Sequence, residues 1–255
     1  MLRLSILISI AAAIAFAALA SQFPPPEPAQ VEAGIFEAAN GFRAENRLGV
    51  LTRNAALNAE ARRFAEYLAR TNTFSHTADG REPSDRAQEA GYDYCDLAEN
   101  LASEADSSGV GLERLVRLMM AGWEASPGHR RNLLDPMATE TGVGVARAPG
   151  SDQKYVAVQV FGLPASARFS FSVDNQSDEM VGYVFDGQRH SLQPRSTLVT
   201  STCAVGELVF DHGVGARDRR YPVRPGAAYV LSSAPEGVQI EVRRAARPRG
   251  RLDQD

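Results

Sequence analysis

Residues 123–136 read WEASPGHRRNLLDP, and the fold assignment turns on how that stretch breaks. Ahead of it Leu112, Leu115, Val116, Met119 and Trp123 recur at helical spacing, which predicts a helix with one apolar stripe. Pro127 and Gly128 do not continue such a run. The helix is therefore expected to end near Ser126 and to present His129 from a loop, where sites are commonly carried.

Two segments upstream have the same character. Phe74-Ser75-His76 lies in the polar stretch Thr71 to Ser84, punctuated by Asp79-Gly80 and Pro83, so His76 is expected on a loop. Ala98-Glu99-Asn100 places a carboxylate among Leu97, Ala98, Leu101 and Ala102, where it must be paired, hydrogen-bonded or protonated. Singly, each has a plain structural explanation: a surface histidine, a salt-bridged or helix-capping glutamate. Together His76, Glu99 and His129 are expected to converge in one cleft. Two imidazoles and a carboxylate are a full protein ligand set for a catalytic-type divalent metal, zinc foremost, with a position left for water or substrate. Without metal the same trio suits acid–base work. The chain lacks the helical H-E-x-x-H pattern that would make a metal site explicit.

Around these segments the chain reads as α+β. A helix is predicted from Val31 to about Arg47, a second after Thr52-Arg53-Asn54 on the stripe Leu57, Ala61, Phe64, Ala65 and Leu68, and a short one from Asp85 to Gly91. Ser103 to Gly111 reads as a flexible loop. After Pro136 the period changes to two, and Gly142 to Ala146 with Tyr155 to Phe161 reads as a hairpin, closing a domain over 31–164. Over 165–245 short strands at Phe169–Val173, Val181–Phe185, Ser196–Thr200, Glu207–Phe210, Tyr221–Val223, Ala228–Leu231 and Val238–Val242 predict a small β-sandwich. Its histidines, His190 and His212, are isolated and read as structural or surface residues. An arginine-rich tail, 246–255, ends in Asp253-Gln254-Asp255.

Export is written at the start. Arg3, the apolar run Leu4 to Ala17 and the small-residue site Ala18-Leu19-Ala20 read as a signal peptide over 1–20, with an uncleaved membrane anchor as the alternative. A proline-rich spacer is expected over 21–30. No later stretch is apolar enough to span a membrane, so the expected location is secreted or periplasmic. In an oxidising compartment Cys95 and Cys203 read as a disulfide, against the alternative of two buried thiols. The net charge of −4 excludes a general nucleic-acid binder. Lys154 is the only lysine, which we read first as genome composition.

The motifs in order, Phe36 to Arg43, Leu57, Phe74-Ser75-His76, Gly80, Arg86, Ala90-Gly91-Tyr92, Glu99-Asn100-Leu101-Ala102, Trp123, Ser126-Pro127-Gly128-His129-Arg130-x-Asn132, Gly142-Val143-Gly144-Val145 and Gln159-Val160-Phe161, closely resemble the bacterial branch of the CAP or SCP superfamily. The resemblance covers about Val31 to Gly162. It implies a three-layer α-β-α sandwich with a central antiparallel sheet and an open cleft, in which several members bind a divalent metal. His76 and Glu99 match the first histidine and the glutamate of the family's cleft. Ser126 and Val156 stand where many eukaryotic members have a second acid and a second histidine. His129 is the candidate replacement for that histidine, and Glu124 lies near the missing acid. The implied function is binding of a lipid or cell-envelope ligand at a metal-holding cleft. A metal-assisted hydrolase and a tethering module are the alternatives, since no single reaction is shared by the family.

Overall fold

A computed structural model describes residues 25–105, 111–150, 154–211, 219–235 and 237–244. The expected signal peptide, His212 and the tail 246–255 lie outside the described residues. The chain divides into two units, the first ending at Ala165 and the second beginning at Ser166.

Helix α1, Pro28–Glu45, starts inside the stretch expected to be a spacer. Pro28 sits in the first turn, where a missing N–H costs nothing, and Glu27 and Gln30 cap each other's backbone. Strand β1 is only Thr52–Arg53. Helix α2, Ala55–Thr71, comes after it, with the Asn54 side chain accepting the N–H of Ala56 and Leu57 at 2.9 and 3.2 Å. Next come α3 at Pro83–Glu89, β2 at Tyr94–Ala105, α4 at Leu112–Ala125, α5 at Pro127–Leu133, β3 at Glu140–Arg147 and β4 at Lys154–Pro164.

The sheet order is β1-β3-β4-β2. β4 pairs antiparallel with β2 and β3, but β1 runs parallel to β3, so the sheet is mixed rather than wholly antiparallel. Strand β2 is a second departure: its sequence reads as a connection at the start and as a loop from Ser103. Helices cover both faces of the sheet, so β2 lacks the polar-apolar alternation of a half-exposed strand. Along β4, Tyr155, Ala157 and Phe161 pack with α1 and α4, while Val156, Val158 and Val160 pack with α2. In β2 Ala102 belongs to the first core and Leu101 to the second.

Helix α2 lies close against β3. A Cβ at Gly142 would stand 2.1 Å from the carbonyl carbon of Leu57, and one at Gly144 2.1 Å from that of Ala61. Only hydrogen at those positions lets the helix backbone approach.

The break after α4 falls at Ser126, as expected, where the backbone is extended. The expected loop beyond it is instead a helix. Pro127 opens α5, because a proline that cannot sit inside a helix is favoured at its first position. His129 is thus a residue of a two-turn helix.

In the second unit β5 (Phe169–Asn175), β8 (Ser196–Thr202), β11 (Ala227–Ala234) and β12 (Gly237–Arg244) form one sheet, in the order β12-β11-β5-β8. β6 (Val181–Phe185), β7 (Gln188–Leu192), β9 (Glu207–Phe210) and β10 (Arg219–Pro222) form another, in the order β10-β9-β6-β7. Gln188–Leu192, polar except at its end, carries no strand signal in its sequence. Phe171, Tyr229 and Leu231 of the first sheet share a core with Tyr183, Leu208 and Phe210 of the second.

Candidate functional site

Adjacent residues of a strand point to opposite faces, and Glu99 and Asn100 use that rule on β2, an edge strand. Glu99 points to the α2 face with Leu101, and Asn100 to the α1 and α4 face with Ala102. Each holds a different histidine.

Glu99 is buried, its side chain 1% exposed. Its Oε1 lies 2.7 Å from His76 Nδ1, and its Oε2 accepts from Arg86 Nη2 at 2.7 Å. A carboxylate oxygen accepts in such a contact, so Nδ1 is the donor, and in the neutral tautomer that makes this bond Nε2 is the free ring nitrogen. The His76 side chain is 47% exposed.

Arg86, on α3, is the post behind this pair. Its Nε donates to Glu60 Oε1 at 2.9 Å. Its Nη1 donates to the backbone oxygens of His76 and Arg81 at 2.9 and 3.1 Å and to Asp79 Oδ1 at 3.1 Å. The guanidinium carbon lies 3.5 Å from the ring centre of Phe64 on α2. One buried arginine therefore joins α2, the His76 turn and β2. Glu60 is 1% exposed; burial, then the nearby Glu99, pushes its carboxyl up to about 7 against the pull of Arg86.

On the other face Asn100 Nδ2 donates to the His129 backbone oxygen at 3.1 Å. Asn132 Nδ2, one turn on, donates to Asn100 Oδ1 at 2.9 Å and to the Glu99 backbone oxygen at 3.3 Å. Arg43 holds the end of α5, its Nη1 donating to the oxygens of Leu133 and Asp135 at 2.9 and 2.8 Å. Trp123 Nε1 donates to the Leu101 oxygen at 2.8 Å. Burial, and after it the His76 charge, lowers the His129 imidazole below its ordinary value.

A cleft of about 310 Å³ lies alongside, lined by His76, Glu99, Pro83, Ser84 and the first half of β2 from Tyr94 to Ala98. The sequence points to His76, Glu99 and His129, but as three equivalent ligands. Both Glu99 oxygens are already engaged, by an imidazole and a guanidinium. Among the described residues no three or more His, Cys, Asp or Glu side chains group so as to hold a metal ion. Of the two imidazoles His76 alone is backed by the Glu99 carboxylate; His129 is held through its backbone oxygen and is not among the residues lining this cleft. Among the described residues Glu124 makes no hydrogen bond to it. Arg86 and Asn132 enter the sequence analysis only as motif residues without a role, and Glu60 is not among the residues of the predicted α2 stripe. Its signal is nevertheless present: it lies three residues after Leu57 and four before Phe64, on the stripe itself.

Neither cysteine is free: Cys95 and Cys203 are both disulfide-bonded. No helix among the described residues is long and apolar enough to cross a membrane.

Residues 36–161 match the model of the cysteine-rich secretory protein family, CAP. The chain is similar to an extracellular SCP-domain protein from Bacillus anthracis, with 28% identity over 53% of this chain and 41% of that one, and a TM-score of 0.43. It is similar to an outer surface protein from Borrelia burgdorferi, with 23% identity over 51% and 90% and a TM-score of 0.42. It is also similar to a cysteine-rich secretory protein from Staphylococcus aureus, with 20% identity over 56% and 41% and a TM-score of 0.43. The chain thus spans well under half the length of the Bacillus and Staphylococcus proteins. Among curated proteins there is no match.

Proposed function

Because residues 36–161 are a CAP domain of the cysteine-rich secretory protein family, we propose that this chain is an exported binding protein whose cleft takes a lipid or cell-envelope ligand beside a divalent metal ion. The observation that carries the reading is the 2.7 Å contact between His76 Nδ1 and Glu99 Oε1, backed by Arg86. A carboxylate behind an imidazole fixes its tautomer and raises its basicity, the arrangement that sits behind metal-bound histidines. Zinc would be held by His76 Nε2 and the His129 ring, with Glu99 in the outer shell, and would supply Lewis acidity there. The lining suits a partly apolar ligand: Pro83, Tyr94, Leu97 and Ala98 give apolar surface, and Ser84 and Asp96 give polar contacts. The bonded cysteines support an oxidising location, secreted or periplasmic. The second unit we read as a small β-sandwich that docks the CAP domain to its surroundings.

Calorimetric titration of the purified protein with zinc tests this. Binding is expected in the wild type and lost in His76→Ala and in His129→Ala. In Glu99→Gln it should weaken by about 10–100-fold, as outer-shell changes do. Equal binding by all four proteins refutes the metal site.

A second reading, hydrolysis at the same place, draws on the same bond, since a carboxylate-oriented imidazole can serve as a general base. Turnover on a panel of envelope material, abolished in His76→Ala and His129→Ala, would favour it. Turnover untouched by both changes would assign the activity elsewhere.

A further inference from the structure

Glu60 has no part in the proposed metal site. The inference about it rests on the proposed function only in taking His76 as the working imidazole. Its carboxylate is almost wholly buried, Oε1 accepts from Arg86 Nε, and Oε2 has no hydrogen-bond partner within the described residues. Arg86, itself 5% exposed, also serves Glu99 through Nη2 and Asp79 through Nη1. One guanidinium thus stands between two buried acids, in the line Glu60, Arg86, Glu99, His76. Such an arrangement is expensive: burying a second carboxylate with a bare oxygen costs free energy, and apolar side chains of similar volume commonly do as well for stability. Packing alone does not call for an acid at this position.

We propose that Glu60 is a positioning residue of the site: by competing for the Arg86 guanidinium it leaves more charge on Glu99, which then accepts the His76 Nδ1–H more strongly and holds the ring with Nε2 free. The physical basis is the polarisation of linked hydrogen bonds in a low-dielectric interior, where each bond changes the strength of the next by about 10–30%. When Glu60 is neutral, Arg86 turns its charge on Glu99 and the carboxylate becomes a weaker acceptor. Two residues, Arg86 and Glu99, stand between Glu60 and the ring, so Glu60 acts on it only through them.

Nuclear magnetic resonance of the histidine rings in the full chain reads this directly. The measurement is made at about pH 8, above the value of about 7 to which the Glu60 carboxyl is pushed. In Glu60→Gln the His76 Nδ1 proton should move upfield and the Nδ1–H tautomer should lose population. His190, stacked on Tyr183 in the second unit, should not change and serves as the internal reference. A His76 resonance unchanged in Glu60→Gln but displaced in Glu99→Gln overturns the proposal. Should Glu60→Gln fail to fold, Arg86→Lys is the second variant. An ammonium cannot hold both acids as the fork does, so an unmoved resonance there overturns it equally. Zinc titration separates the two ideas. A wild type that binds no zinc yet shows the Glu60-dependent shift loses the metal site and keeps the relay.

Discussion

Glu60 also has a consequence for folding. In the unfolded chain its carboxyl returns to the ordinary value of 4.5, whereas burial and Glu99 raise it to about 7 in the native state. Between those two values the native protein holds a proton that the unfolded chain has released. The unfolded state then binds fewer protons, so stability falls as pH rises through that window, opposite to the usual salt-bridged carboxylate. The Glu60→Gln protein cannot release that proton. Its denaturant midpoint should decline less from pH 4.5 to about 7 than that of the wild type. Parallel profiles for the two proteins would mean that Glu60 titrates normally.

At the scale of elements, what the sequence reveals depends on whether one residue or a distant partner decides the outcome. Asn54, the α2 stripe and the β3-β4 hairpin are legible, because capping and periodicity are local. Of the candidate residues, Glu99 and His129 stand out because a glutamate among apolar neighbours and a histidine after Ser-Pro-Gly are locally odd. Strand β2 is not, since its pattern is set by helices on both faces that lie far along the chain. Nor is the role of Arg86, whose partners are spread from Glu60 to Glu99. Helix α5 is hidden for a different reason: Pro127 reads as a stop when at a first position it is a start. The glycines of β3 invite a test of their own. Gly144→Ala would put a methyl carbon 2.1 Å from the Ala61 carbonyl carbon, against helix backbone that cannot rotate aside. The expected loss is at the upper end of overpacking costs, about 3 kcal/mol or more by chemical denaturation. Gly128→Ala, where a Cβ meets nothing within 4 Å, is the control and should be close to neutral. Comparable stability of the two variants would show that α2 does not press on β3.

For the whole molecule the governing fact is that each unit has its own core, so each must find its stability within itself or through covalent attachment. Cys95 lies on β2 of the first unit and Cys203 comes just after β8 in the second. Both are oxidised, and the sequence has no third cysteine. A bond between them closes a loop of about 100 residues, which in the chain-entropy model stabilises the native state by about 4–5 kcal/mol. Cys95 also lines the cleft, four residues before Glu99. Its bond therefore anchors the start of the strand that carries Glu99 and Asn100. A nonreducing peptide map of monomeric protein should join the Cys95 and Cys203 peptides. The Cys95→Ser, Cys203→Ser protein should unfold at distinctly lower denaturant, with the first unit losing more than the second, because β2 is an edge strand paired only to β4 along one side. Peptides joined between two chains, or a double variant as stable as the wild type, would place the cross-link outside the fold's own architecture and leave β2 held by its hydrogen bonds and helices alone.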